Sequence, residues 1–318
     1  MPYVPIIDIS RNPDAVGAEL DEVCRTVGFF QITGHGLADG VADHAWTAAT
    51  SFFNLPLDDK LTVVRPDEGY PYGYIPVAGE SLSRSVAGSA PPDLKEVFNI
   101  GPVTAPDHVM TDPDEASVYS PNLWPVALPE LRGAWTTYYT AMSALGTRLM
   151  SLFARGLGLP PKFFADKIDQ QPNALRAINY PEREEAPLPG QLRAGAHTDY
   201  GTLTILRQDT VGGLEVLDAG GRWTGVESVP GAFVINIGDL MARWTNDQWR
   251  STLHRVVDPP GAAASRARRQ SMPYFQNANW SAEITCLPTC LAPGETPKYA
   301  PVLAGPHLMA KFRKAVQV

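Results

Sequence analysis

Two histidines and one aspartate carry the clearest chemical signal in the sequence. His197 and Asp199 stand two positions apart in GAHTDYGTLTIL, at the start of a β-type run, and His254 heads another predicted strand in STLHRVVD. Because alternate residues of a strand share one face, the first pair could bind the same ion. Two imidazoles and one carboxylate leave coordination positions open, as the chemistry of iron(II) oxygenases requires. We therefore predict that these three residues bind a catalytic metal ion.

A guanidinium and a hydroxyl form a second candidate group. Arg269 and Ser271 alternate in RQSMPYF, so both side chains leave the same face of a predicted strand. A planar, permanently charged fork with a hydroxyl beside it suits the far end of a dicarboxylic acid, whose near end would chelate the metal. The pattern predicts a carboxylate ligand and leaves the identity of the acid open.

The composition excludes several classes of partner. The chain has 318 residues, 44% of them apolar, and a formal net charge of −8, so it lacks the positive field that binds nucleic acid. No apolar run approaches the ~20 residues of a bilayer-spanning helix, and the N-terminus has no secretory signal pattern. Three cysteines, Cys24, Cys286 and Cys290, form no disulfide framework, which favours a reducing compartment. We expect a cytoplasmic monomer or weak dimer that acts on a small molecule and binds neither nucleic acid nor membrane.

Periodicity divides the chain into a helix-rich first part and a strand-rich second part. Apolar residues recur every three or four positions at about 14–26 and from 131 to near 156, which predicts two helices. Strands are predicted at 3–9 and 28–33, and beyond residue 175 the β-type runs are 175–180, 202–206, 213–217, 232–237, 253–257, 270–275 and 283–287. Seven or more strands without an intervening helix period favour a β-sandwich or jelly roll.

We predict an α+β fold in which helices, mostly from the N-terminal half, pack around this core. One domain is expected over 1–318, with a helix-rich part at 1–170, a core at 171–295 and a C-terminal helix at 296–318. The segment at about 65–93 is rich in Pro, Gly and Ser and is longer than an ordinary connection. Such a segment is typical of a lid or a binding loop.

Nine segments occur in an order that resembles one enzyme family over nearly the whole chain. They are VPIIDIS, GFFQITGHGL, DLKEVFNIGP, PNLWP, LRAINYP, HTDYGTLTIL, INIGDLMARWTN, LHRVV and RQSMPYF. In this order they resemble the isopenicillin N synthase-like branch of the iron(II), 2-oxoglutarate-dependent oxygenases.

The resemblance implies a double-stranded β-helix core in which the His, Asp, His triad binds Fe(II). It further implies that Arg269, Ser271 and, in INYP, Tyr180 hold the distal carboxylate of 2-oxoglutarate, with O2 as the oxidant. A small molecule of specialised or amino-acid-related metabolism would then be hydroxylated, or oxidised by desaturation, cyclisation or epoxidation.

Departures from the family's namesake favour an ordinary 2-oxoglutarate user. The namesake applies the same Arg-x-Ser pair to its peptide substrate, without 2-oxoglutarate. It has Glu where this chain has Thr198, and its C-terminal tail adds a metal contact that is not found after Lys314. The alternative hypotheses are an oxidase of the namesake or ascorbate type and a non-catalytic jelly-roll protein that binds a metal or another ligand.

Six further residues are candidates for the substrate side of the site. Arg176 alternates with Tyr180 on one predicted strand, so it could bind an acidic group of the substrate or form a structural ion pair. Tyr200 and Phe275 are candidates because they lie near the triad and the clamp in the sequence, and core packing is the competing interpretation. Members of the family fold the 65–93 segment over the substrate, and its candidates are Tyr72, Tyr74 and Glu80. Asp239, in IGDL, is interpreted as a turn residue.

Overall fold

The structure, a computed structural model, describes residues 3–67, 69–82, 91–183, 187–259 and 267–316. Its strands are β1 (Ile6–Asp8), β2 (Phe29–Thr33), β3 (Gly73–Ile75), β4 (Glu96–Ile100), β5 (Ala174–Tyr180), β6 (Ala194–His197), β7 (Leu203–Gln208), β8 (Leu214–Leu217), β9 (Trp223–Gly225), β10 (Phe233–Ile237), β11 (His254–Val256), β12 (Arg269–Gln276), β13 (Glu283–Ile284) and β14 (Val302–Leu303). Its α-helices are α1 (Pro13–Thr26), α2 (Val41–Phe53), α3 (Leu57–Leu61), α4 (Pro113–Val118), α5 (Glu130–Gly156), α6 (Asp239–Trp244) and α7 (Ala304–Val316).

Two sheets enclose the interior in which the candidate residues lie. An eight-stranded sheet has the order β1-β2-β10-β7-β12-β5-β4-β3, and a four-stranded sheet has the order β6-β11-β8-β9. Side chains from both sheets pack into one buried cluster, which comprises Val4, Phe29, Tyr180, Ala194, Leu214, Val216, Val226, Val234 and Val256. Two mostly antiparallel sheets packed face to face confirm the predicted jelly-roll core.

The helices cover the opposite face of the large sheet. The 27-residue helix α5 turns a buried stripe toward the sheet, and α1 and α2 share its core cluster. Helix α1 begins where the sequence predicts, because Asn12 Oδ1 accepts the main-chain N–H groups of Asp14 and Ala15 at 3.0 and 3.2 Å and Pro13 occupies the first turn. Among the described residues, none of the helices combines the length and the apolar character that a transmembrane span requires.

The central strand β12 places the predicted carboxylate clamp on the interior face. Arg269 is the register partner of Tyr180 in β5, and Ser271 is the register partner of Gln208 in β7. Register partners project to the same side of a sheet. These four side chains therefore lie together on the face that is directed at the small sheet, as the alternation in RQSMPYF predicts.

The structure differs from the prediction around two short elements. Strand β6 (Ala194–His197) ends at the first histidine, so Asp199 lies in the connection to β7 and does not share a strand with His197. Helix α6 begins at Asp239, where a turn was expected, and it interrupts the predicted run of strands. Both elements are too short for their periodicity to stand out in the sequence.

Candidate active site

Three side chains that could bind a metal ion meet between the two sheets. Asp199 Oδ1 lies 3.9 Å from His197 Nε2 and 3.8 Å from His254 Nε2. One ligand atom from each of the three residues lies within 4.8 Å of the others, a grouping of His, Cys, Asp or Glu that occurs once in the described part of the chain. These distances are short enough for one ion to bind all three.

Strand pairing brings the two histidines together. His254, the first residue of β11, is the register partner of His197, the last residue of β6, and their ring centroids lie 4.3 Å apart. The edge of the His254 ring also packs against Phe29, at 5.1 Å between centroids. The small sheet therefore positions two of the candidate ligands, and the connection after β6 supplies the third.

Main-chain carbonyl groups determine which nitrogen of each imidazole faces the cluster. His197 Nδ1 lies 2.7 Å from the carbonyl oxygen of Gly195, and His254 Nδ1 lies 3.2 Å from that of Thr252. A carbonyl oxygen only accepts, so each Nδ1 carries a hydrogen and each Nε2 is the nitrogen directed at the other candidate ligands. Burial, and then the charge of His254, lowers the pKa of His197 to about 3, so this imidazole is neutral and able to bind a metal at neutral pH.

Two donors orient the carboxylate of Asp199. Its Oδ2 accepts from Thr204 Oγ1 at 2.5 Å and from Asn236 Nδ2 at 2.6 Å, which leaves Oδ1 directed at the histidines. Burial raises the pKa of Asp199, but the two histidines and these donors lower it by more, so the net pKa is below its usual value. The side chain is therefore held as a carboxylate anion.

Arg269 is buried with part of its guanidinium unpaired. Nε donates to the carbonyl oxygen of Gly212 at 2.9 Å, and Nη2 donates to Gln208 Oε1 at 3.1 Å, but Nη1 is buried without a hydrogen-bond partner. The guanidinium carbon lies 5.0 Å from the ring centroid of Tyr180, and no carboxylate of the described residues pairs with it. A buried cation with an unsatisfied donor fits an anionic ligand, because such a group is costly unless it is paired.

Three of the six substrate candidates, Phe275, Arg176 and Glu80, lie on or near the interior face. Phe275 is the register partner of Thr204, whose hydroxyl donates to Asp199, so this ring is placed beside the candidate metal site. Arg176 Nη2 donates to Glu80 Oε1 at 2.7 Å, in an ion pair whose side chains are 19% and 24% exposed. Tyr200 instead directs its ring at Phe312 of α7, with centroids 5.5 Å apart.

Tyr72 and Tyr74 are not brought to the site, contrary to the lid prediction. Tyr74 is the register partner of Phe98 and packs among the helices, where its hydroxyl donates to Glu96 Oε2 at 2.5 Å. The hydroxyl of Tyr72 donates to the carbonyl oxygen of Val118 at 2.5 Å. Pairing of β3 with β4 turns these rings away from the interior. Residue 68 and residues 83–90 of the predicted lid lie outside the described residues.

The sequence interpretation missed two buried charges beside the triad. Asp93 and Lys95 are each 2% exposed, and their side chains pair at 3.1 Å. Asp93 Oδ1 accepts the N–H of Gly195, whose carbonyl holds His197, and Lys95 Nζ lies 3.6 Å from Glu80 Oε2. Charged residues in DLKEV predict an exposed segment, and nothing local in the sequence indicates that they are buried.

Two family models match the chain. A model described as the 2OG-Fe(II) oxygenase superfamily matches residues 172–278, which include the triad and the clamp. A model described as the N-terminal part of a non-haem dioxygenase in morphine synthesis matches residues 4–127.

Known proteins are similar over almost the whole chain. A 2-oxoglutarate-Fe(II) type oxidoreductase, hxnY, of Emericella nidulans is 35% identical over 98% of this chain and 90% of its own length. Validamycin A dioxygenase of Streptomyces hygroscopicus subsp. limoneus is 34% identical over 89% of this chain and 79% of its own length. The crystal structure of a full-length Neurospora crassa protein in complex with alpha-KG and thymine has a TM-score of 0.85 and 30% identity, and it covers 99% of this chain and 97% of that one.

Proposed function

Since this chain belongs to the 2-oxoglutarate-Fe(II) oxygenase superfamily, we propose that His197, Asp199 and His254 bind its iron(II). The protein is a 2-oxoglutarate-dependent dioxygenase that acts on a small molecule and uses Fe(II), 2-oxoglutarate and O2. In this reaction class, oxidative decarboxylation of 2-oxoglutarate to succinate drives the oxidation of the substrate. The proposal concerns which residues of this chain perform each part of that work.

The proposal rests on two features of one interior. One is the triad, and the other is a buried arginine with a guanidinium nitrogen that has no hydrogen-bond partner. Two imidazoles and one oriented carboxylate are a donor set suited to iron(II) with open positions. On the same interior face, Arg269 Nη1 lacks a partner, so we assign Arg269, Ser271 and Tyr180 to the distal carboxylate of 2-oxoglutarate. The interior between the two sheets thus offers both a metal site and an anion site.

The buried charges beside the triad support a proposal for substrate binding. Glu80, Asp93, Lys95 and Arg176 carry two negative and two positive charges, so the group is neutral as a whole. Arg176 Nε is buried without a hydrogen-bond partner, and Glu80 Oε2 is buried with Lys95 Nζ 3.6 Å away, too far for a hydrogen bond. A donor beside an acceptor suits a substrate that presents both functions and no net charge, such as a zwitterion or an amide, because a net charge would remain uncompensated.

The similar proteins support a polar small molecule as the substrate. One relative is named for validamycin A, and one structure contains thymine. We propose a small polar molecule of specialised metabolism for this chain, with Phe275 forming the apolar wall beside the metal.

We also propose a cytoplasmic location. Cys24, Cys286 and Cys290 are all free thiols, and two of them are buried. Burial raises the pKa of Cys290 to about 11, which keeps this thiol protonated and unreactive. Unpaired thiols of this kind favour a reducing compartment.

Succinate release in the presence of a library of small polar molecules tests the proposed function. The protein is supplied with Fe(II), 2-oxoglutarate and O2, and both succinate and oxidised product are quantified. We expect certain members of the library to raise succinate release in proportion to product. Product without succinate would instead indicate an oxidase of the namesake or ascorbate type, and no turnover with metal bound would indicate a binding protein.

A further inference from the structure

Asp239 connects the two segments that carry the proposed metal ligands. Its main-chain N–H donates to the carbonyl oxygen of Asp199 at 2.7 Å, and its Oδ2 accepts from the hydroxyl of Thr198 at 3.3 Å. Its other carboxylate oxygen, Oδ1, accepts from Ser251 Oγ at 2.7 Å. Ser251 precedes His254 by three positions. Asp239 therefore contacts both the segment of His197 and Asp199 and the segment of His254.

Lys311 of α7 completes the contacts of this carboxylate. Its Nζ donates to Asp239 Oδ2 at 2.7 Å, and the Asp239 side chain is only 16% exposed. The next residue, Phe312, packs edge-on against Tyr200, which directly follows Asp199. The C-terminal helix therefore contacts the metal-ligand connection through one ion pair and one aromatic pair.

Because of these contacts, we expect the free energy of metal binding and that of docking α7 to depend on each other. Groups that orient metal ligands contribute strongly to metal affinity, although they do not touch the ion. The carboxylate of this ion pair is only 16% exposed, so solvent screens the pair less than it screens a fully exposed one, and the pair favours one orientation of Asp239. Coupling between two sites is reciprocal, so whatever tightens metal binding also tightens the docking of α7.

We propose that Asp239 is a positioning residue of the metal site and that its ion pair with Lys311 couples metal binding to the docking of α7. This rests on the proposed function, because it takes His197, Asp199 and His254 as the ligands. Nearby, the chain offers a matched control. Arg313 also ties α7 to the protein through an ion pair, but its partner is Asp114 in the first turn of α4, away from the ligand segments.

The first experiment measures metal affinity and does not depend on turnover. The metal-free full chain and its variants are titrated with Co(II), which binds imidazole and carboxylate ligands and has a visible spectrum. We expect Asp239→Asn to weaken Co(II) binding about 10- to 100-fold. Lys311→Met should weaken it at least about fivefold, whereas Lys311→Arg and Arg313→Met should stay within about twofold of the wild type.

The second experiment measures the docking of α7 by amide hydrogen exchange. We expect Co(II) to slow exchange in α7 in the wild type and in Arg313→Met, because the metal fixes the segment that holds Asp239. In Lys311→Met this protection should be lost. Lys311 is 34% exposed at its side chain, so its variant keeps the proposal testable if Asp239→Asn does not fold.

The outcomes separate this inference from the proposed function. Wild-type Co(II) affinity in a folded Asp239→Asn, or equal behaviour of Lys311→Met and Arg313→Met in both experiments, would overturn the coupling. His197→Ala is included as a further arm and should abolish tight Co(II) binding. If it binds Co(II) like the wild type, the ligand assignment fails first, and the positioning role fails with it.

Discussion

His197 and His254 are register partners across β6 and β11, and each donates its Nδ1–H to the carbonyl oxygen two residues before it. The main chain of one strand pair thus sets the position, the ring orientation and the tautomer of both imidazoles. Asp199 depends instead on side-chain donors from two strands of the opposite sheet, Thr204 and Asn236. The proposed metal site is therefore assembled across the interior, and its parts can be tested separately.

Removing one donor to the Asp ligand should weaken metal binding without unfolding the protein. Thr204→Val is nearly isosteric, but it leaves Asp199 Oδ2 with Asn236 as its one remaining donor in the site. We expect Co(II) or Fe(II) affinity to fall about tenfold or more. Thr140→Val, at an exposed position of α5, is the control for the substitution itself. Metal affinity unchanged from the wild type would show that this hydroxyl does not orient the carboxylate.

Removing the buried guanidinium should impair 2-oxoglutarate binding selectively. Arg269→Gln deletes the charge that we assign to the distal carboxylate, and losing one partner of a buried charge pair costs about 2 kcal/mol or more, which is at least about 30-fold in affinity. The measurement is the KM for 2-oxoglutarate at saturating metal.

Arg268→Gln is the matched control, because this arginine directly precedes β12 and projects to the opposite face of the sheet. Its Nε donates to Asn179 Oδ1 at 2.6 Å and Nη1 donates to Asn54 Oδ1 at 2.5 Å. We expect its KM for 2-oxoglutarate to stay near that of the wild type. If the two variants raise this KM equally, the clamp assignment is contradicted.

Removing Arg176 should affect the substrate and spare the cosubstrate. Arg176→Gln removes a charged donor, and a hydrogen bond of that kind contributes about 1.5 to 3 kcal/mol, or roughly 10- to 100-fold in substrate KM. Succinate formation without substrate should not change. Arg207→Gln controls for the loss of a strand arginine, since Arg207 pairs with Asp43 on the helix side of β7. An increase in the KM for 2-oxoglutarate with an unchanged substrate KM would contradict the assignment.

The Glu80 carboxylate should make stability depend on pH in a defined window. Burial raises the pKa of Glu80, but Arg176 and then Lys95 lower it by more, to about 2 from an ordinary value of 4.5. A depressed folded pKa stabilises the protein above the unfolded pKa, and this contribution is lost as pH falls through the folded pKa.

The unfolding free energy of the wild type should therefore exceed that of Glu80→Gln by on the order of 2 kcal/mol at neutral pH. The difference should shrink between about pH 4.5 and 2, the interval spanned by the two pKa values. Urea unfolding across this range checks it, with Glu22→Gln, an exposed carboxyl of α1, as the control. A difference that stays constant with pH would mean that the ionised carboxylate does not stabilise the network.

The elements that were predicted accurately have strong local patterns. The sequence predicts a helix from 131 to near 156, and α5 spans Glu130–Gly156, because its apolar stripe repeats over many turns. The spacing of the triad and of Arg269 with Ser271 also identifies side chains that the fold brings into one interior. For the triad and for Arg269 with Ser271, the residue types alone indicate a metal ligand set and a carboxylate-binding pair.

The features that were missed depend on long-range pairing. Whether Tyr74 faces the substrate or the helices is decided by the register of β3 with β4, and no local pattern encodes it. Asn236 reaches the Asp ligand because it is the register partner of Thr204 across β10 and β7. Lys95 is buried because Asp93 and Glu80 neutralise it, which a reading of single charges as exposed residues cannot anticipate.

The most direct test of the central claim is an anaerobic titration of the full chain with Fe(II) and then with 2-oxoglutarate, followed by visible absorption. We predict a weak charge-transfer band that saturates at one 2-oxoglutarate per iron, disappears in His254→Ala and saturates only at much higher 2-oxoglutarate in Arg269→Gln. Succinate should form when air is admitted. Full iron occupancy with neither the band nor succinate, or a band that His254→Ala leaves intact, would contradict the assignment of this site.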